Sequence, residues 1–210
     1  MTVKQQWMFV GMVVLILGGG LLAATRYLGD ELFPVTVGSK APEFHANTID
    51  GVPRTKTLDS YKGEIVLLIV WATLCLPCRT EMPSIQALHD RFAARGLKVV
   101  AISVDKAGAT ESIRQFRDQF GLTFEILQDP TGNIQRDYQT TGVPETFIIG
   151  RDGLIRRKVI AADNWDSPAN RALFAQLLGV PESAAGVGND APGAAPVPVI
   201  PAGARMCVAR

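Results

Sequence analysis

The chain has 210 residues, a net charge of +1 at neutral pH and 47% apolar side chains, enough for one ordinary domain with appendages around a single core. Basic and acidic residues are interspersed and the interior carries no block of like charge. That excludes a nucleic-acid footprint and leaves electrostatics silent about the partner.

From Trp7 to Thr25 nineteen residues pass without a charge, and a helix of that length about spans a hydrocarbon core. Residues 7–27 are therefore read as a single-pass transmembrane anchor behind a cytoplasmic stub, residues 1–6. The run is longer than the apolar part of a signal peptide, and Leu21 and Leu22 sit badly for cleavage after Ala23 or Ala24, although cleavage after Thr25 stays open. Lys4 precedes the span and Arg26 follows it, offset by Asp30 and Glu31, so the basic-residue bias is close to a tie.

Residues 28–37 read as a linker and 38–178 as the folded domain. Gly38-Ser39-Lys40-Ala41-Pro42-Glu43-Phe44 opens it, with Pro42 biasing Ala41 toward extended backbone and Phe44 available to anchor the segment. Asp50-Gly51 predicts a tight hairpin between His45–Ile49 and Val52–Thr57. Ile65 to Val70 is apolar without alternation, as in a strand buried on both faces. A helix of about Leu76 to Arg95 follows, its stripe Met82, Ile85, Leu88 and Phe92 facing inward and Gly96 ending it; His89 reads as a surface residue of that helix.

Further on come a buried run at Val99–Val104, a helix at Glu111–Phe120, a strand at Thr123–Leu127 and a short helix ending at Tyr138. Phe147–Ile149 and Leu154–Ile160 flank the turn Arg151-Asp152-Gly153, and Ser167–Leu178 is a closing helix. Strands alternating with helices predict right-handed crossovers and an α/β sandwich. In the last segment, 179–210, 18 of 32 residues are Gly, Ala or Pro, a composition that cannot order itself by burial. Cys207 there reads as an incidental thiol.

The chemistry concentrates at Trp71-Ala72-Thr73-Leu74-Cys75-Leu76-Pro77-Cys78, where a buried strand hands over to a helix. The unpaired N–H groups and dipole of a helix start stabilise a thiolate at Cys75. Cys78, separated from it by two residues, can resolve a mixed disulfide formed on Cys75, which makes the pair a two-electron dithiol switch. A zinc site would need four ligands, and Cys207, His45 and His89 lie at no finger spacing.

This segment resembles the active site of thioredoxin-like proteins, and more narrowly of the membrane-anchored TlpA/ResA type, which also includes the cytochrome c maturation thioredoxins. The opening G-x-x-A-P-x-F run is similar to that of the same group and of peroxiredoxins. The resemblance implies a three-layer sandwich, a central mixed sheet flanked by helices, with an extra N-terminal hairpin. Gly142-Val143-Pro144-Glu145-Thr146-Phe147 resembles the family segment whose proline is cis and faces the cysteines. By that resemblance Pro144 is the cis proline, the backbone of Val143 pairs with an extended client, and Trp71 and Leu74 contribute to the client surface.

Glu145 reads either as a proton relay for the dithiol or as a solvated loop residue. Ile69 stands where classical thioredoxins carry a buried acid, and Leu76-Pro77 offers no His or cation, so a moderate to reducing potential is expected. The resemblance implies exported protein disulfides as substrates, apocytochrome c among them, recharging by a membrane thiol donor of the DsbD or CcdA kind, and no cofactor beyond the Cys75–Cys78 pair itself. Because disulfides persist outside the cytosol, residues after about Tyr27 are placed on the periplasmic side of the inner membrane. Two other readings stay open. One is a peroxiredoxin-like peroxidase, although P-x-x-x-T-x-x-C is absent before either Cys75 or Cys78. The other is a tethered adaptor handling metal or heme through Cys75, Cys78 and Cys207.

Overall fold

A computed structural model describes residues 3–27 and 34–181; the linker up to Phe33 and the tail with Cys207 lie outside the described residues. The chain divides into two compact units, residues 1–34 and 35–210. In the first, helix α1 (Val3–Tyr27) starts earlier than the apolar run, taking in Lys4, Gln5 and Gln6. Its window Val3–Gly20 is long and apolar enough to cross a membrane and none of it is buried, a property that anchors and signal sequences share.

In the second unit seven strands form one sheet in the order β2-β1-β5-β4-β3-β6-β7. The strands are β1 (Ala46–Thr48), β2 (Thr55–Lys56), β3 (Ile65–Trp71), β4 (Leu97–Ser103), β5 (Glu125–Gln128), β6 (Glu145–Ile149) and β7 (Ile155–Ile160). β3, β4 and β5 run parallel, while β1 joins β5, β6 joins β3 and β7 joins β6 in antiparallel fashion. The mixed sheet with flanking helices is the thioredoxin-like architecture expected from the sequence. Every residue of β3 is buried, which is why its apolar run shows no alternation.

The helices are α2 (Leu76–Phe92), α3 (Thr110–Phe120), α4 (Asn133–Asp137) and α5 (Pro168–Leu178). Met82, Ile85, Leu88 and Phe92 of α2 are fully buried. After Phe92 the chain tightens into a 3-10 turn and leaves through Gly96 at φ 97°, a left-handed position that suits glycine. Ser167 caps α5 by accepting from the Asn170 N–H. Phe44 is 1% exposed, and the Tyr138 hydroxyl donates to the Pro42 carbonyl at 2.7 Å, so the opening segment is pinned to the core.

Two local expectations change. β1 and β2 pair through Ala46–Lys56 and Asn47–Thr55, leaving a wider connection than the two-residue turn read at Asp50-Gly51. Arg117 of α3 pairs with Asp50 at 2.7 Å and Arg114 donates to the Ile49 carbonyl, which draws the connection toward α3. His89 is half-buried rather than exposed. Its ring meets Phe124 edge-on at 6.0 Å, and burial lowers its pKa.

Candidate active site

Strand β3 ends at Trp71, and the loop 72–74 carries the chain to Cys75, the N-cap of α2. That loop is fixed from below by one carboxylate. Asp105 accepts from the Thr73 N–H and hydroxyl, both at 2.9 Å, and from the Ser103 hydroxyl at 2.7 Å. The loop therefore meets the helix in one geometry.

Cys75 and Cys78 are disulfide-bonded with Cα atoms 5.3 Å apart. The Cys78 N–H donates to the Cys75 sulfur at 3.2 Å. On reduction that N–H and the helix dipole both favour a thiolate on Cys75 rather than Cys78. The neighbouring cation is diverted: the Arg79 guanidinium sits 5.1 Å from the ring centres of both Phe116 and Phe120 and donates to Gln119. This ties the α2 start to α3.

The sulfurs are well covered. Cys75 is 2% exposed and Cys78 fully buried, whereas Leu74 and Leu76 on either side are 89% and 73% exposed. Across from them the Val143–Pro144 peptide is cis, and the Val143 carbonyl oxygen lies 3.5 Å from the Cys75 sulfur. Leu74 thus faces solvent beside the cysteines. Trp71 does not: it is fully buried, with its ring 4.6 Å from Phe116. Its expected client contact is corrected to a core role beneath the site. Val143 is also buried at 1%, and its carbonyl lies against the sulfur rather than in solvent.

Glu145 opens β6 and has no exposed surface, which corrects the solvated-loop reading. One carboxylate oxygen accepts from the Thr141 N–H at 3.0 Å and the other pairs with the Lys158 ammonium at 2.8 Å. Among the described residues no cluster of three or more His, Cys, Asp or Glu could hold a metal ion.

A protein-family comparison places residues 37–158, more than half of the chain, on the AhpC/TSA family. A relative named thiol-disulfide oxidoreductase ResA, from Geobacillus thermodenitrificans, is 32% identical over 73% of this chain and 87% of its own length. The chain belongs to the AhpC/TSA thioredoxin-like family. The thioredoxin-like protein YneN of Bacillus subtilis is 40% identical over 57% of this chain and 68% of its own. Among solved structures, one described as thiol:disulfide interchange protein DsbE from Chlorobium tepidum shares 29% identity. It superposes with a TM-score of 0.62, covering 69% of this chain and 99% of its own. With the CxxC disulfide in place, this family member is a thiol-disulfide oxidoreductase.

Sequence reading missed two residues of this site. Asp105 acts through contacts across two strand ends, which no local pattern announces. Glu81 had a visible signal: it lies three residues after Cys78 and four before Ile85, on the buried stripe of α2. It is 2% exposed and accepts from the Trp165 indole N–H at 3.2 Å and the Asp163 N–H at 3.3 Å. Its second oxygen has no hydrogen-bond partner among the described residues. Burial pushes its pKa up to about 8, against the lowering effect of those two donors.

Proposed function

We propose that this oxidoreductase is tethered by its N-terminal helix and reduces disulfides of exported proteins on the extracytoplasmic side of the membrane. Apocytochrome c is the client class and a membrane thiol carrier of the DsbD or CcdA kind the source of electrons. The observation that carries the reading is the Cys75 sulfur, seated at a helix N-terminus on a donated N–H and framed by two solvent-facing leucines. The apolar stretch of α1 supports the tether, and the names of the relatives support the reaction.

In the reductive cycle the Cys75 thiolate attacks one sulfur of the client disulfide, and the other client sulfur leaves as a thiolate. Cys78 then loses its proton and attacks the Cys75 sulfur, expelling the second client thiolate and closing the Cys75–Cys78 bond. Two electrons pass to the client, and two protons follow. Glu81, in its ionised form, is the group assigned to take the Cys78 proton: it lies one helical turn away, and its pKa of about 8 is close to that of an ordinary thiol, about 8.5. Glu145, already paired and hydrogen-bonded, positions the Pro144 loop. Client backbone pairing along Val143 and Pro144 needs that edge to be uncovered first, with Leu74 as the apolar contact beside it.

Only Leu76 and Pro77 separate the cysteines, with no cation to stabilise the reduced form. The expected potential is therefore nearer to that of thioredoxin, about −270 mV, than to that of a strong oxidant, about −120 mV. Equilibrating the full chain with dithiothreitol and glutathione buffers measures it, and a value at the oxidising end would reverse the direction assigned here.

A further inference from the structure

The contacts of Glu145 point to a residue outside the CxxC turn. Glu145 pairs with Ile160 and Phe147 pairs with Lys158 in the β6–β7 register, so Glu145, Phe147 and Lys158 share one sheet face. The Lys158 ammonium reaches back along that face to the carboxylate at 2.8 Å while lying 5.3 Å from the centre of the Phe147 ring. Lys158 is 19% exposed and Glu145 not at all. A carboxylate in that setting is costly to bury without an opposite charge.

The same carboxylate accepts from the Thr141 N–H. The loop 141–144 is thus closed on itself by the residue that follows it, and its Val143 carbonyl rests 3.5 Å from the Cys75 sulfur. Among the described residues, the groups around the pair are apolar or engaged elsewhere. The strand neighbours Val70 and Ile160 are apolar. Tyr138, just after α4, packs on Phe147 and spends its hydroxyl on Pro42. Glu81 of α2 is engaged by Trp165 and Asp163. Beyond the loop lies Cys75, held in the disulfide with Cys78.

We infer that Lys158 is a positioning residue for the thiol-disulfide reaction: its ion pair with Glu145 latches the Pro144 loop against Cys75. The inference rests on the reading of that loop as the second half of the redox site. Without Lys158 the buried carboxylate has no counter-charge, so it either takes up a proton or leaves its pocket and drags Thr141 with it. The first outcome prevails at low pH and the second at high pH.

The test is the rate at which the reduced full chain reacts with 5,5′-dithiobis(2-nitrobenzoate) from about pH 5.5 to 9, in a C207S background so that the third thiol does not count. K158M is expected to gain a pH step that the parent lacks, with the rate relative to the parent changing about tenfold across it, mid-range for coupled neighbours. K158R is expected to keep the parent profile, and E145Q/K158M to lose the added step. A K158M profile that superimposes on the parent, or a pH-independent loss that E145Q does not relieve, would overturn the inference. Should K158M fail to fold, E145Q is compared with E145Q/K158M: equal rates support the latch, and a further loss contradicts it. A parent chain inert toward the reagent would instead sink the redox reading itself.

Discussion

Two buried carboxylates stand near the disulfide, and they differ in what faces them. Glu145, at the start of β6, meets a lysine at 2.8 Å and a backbone N–H. Glu81, on α2, accepts from two neutral donors with no ion pair among the described residues, and burial raises its pKa to about 8. Equal burial therefore yields an ion-paired brace on one side and a proton-holding acid on the other. What separates them is the counter-charge, not the depth.

That division of labour can be broken most sharply at Glu81. E81Q keeps an acceptor for Trp165 and Asp163 but cannot carry the Cys78 proton. Resolution of a mixed disulfide by Cys78 is expected to slow about a hundredfold, at the lower end of what acid–base catalysis contributes, and the pH–rate profile should lose its ionisation near 8. Rapid mixing of the reduced chain with a disulfide-bonded peptide measures this. An unchanged rate would move the proton to Glu145 or to water. The smaller effect at Lys158, about tenfold and confined to one side of a pH step, probes the bracing side of the comparison.

The third effect is on stability. The folded chain holds the Glu81 proton up to about pH 8, whereas the usual value is 4.5. The folded state therefore binds more protons than the unfolded state between these values, and stability falls as pH rises through that window. The contribution is full below the lower value and lost above the higher. Denaturant midpoints of the oxidised chain are expected to follow, with E81Q flattening the slope by up to about 1.4 kcal/mol per pH unit. A wild-type slope that E81Q leaves intact would place the proton elsewhere.

Much of the fold was legible because its signals are local. The unbroken apolar run of β3, the stripe on α2 and the Arg151-Asp152-Gly153 turn each need only a dozen residues of context. Cys75 and Cys78 were legible for the same reason, since spacing and a strand–helix junction define them. What stayed hidden depends on distant segments. Trp71 reads as a rim residue until Phe116 of α3 is seen against it. Glu145 reads equally as a proton relay or a loop residue until β7 brings Lys158 alongside. Glu81 looks like a helix acid until the 161–166 loop returns Asp163 and Trp165 to it. The tight turn at Asp50-Gly51 yielded to two arginines more than sixty residues away.

The exposed leucines make a last contrast with the buried sulfurs. Leu74 and Leu76 project into solvent while Cys75 between them shows 2% of its surface. The surface beside the nucleophile is therefore apolar and prominent while the sulfur itself is covered.

The decisive measurement is capture on Cys75. In C78A the mixed disulfide cannot be resolved, so the full chain expressed in its native host should accumulate covalent adducts through Cys75 that dithiothreitol releases and that C75A/C78A does not form. Exported cysteine-containing proteins in those adducts are the expected result; no adduct on Cys75 would contradict the account.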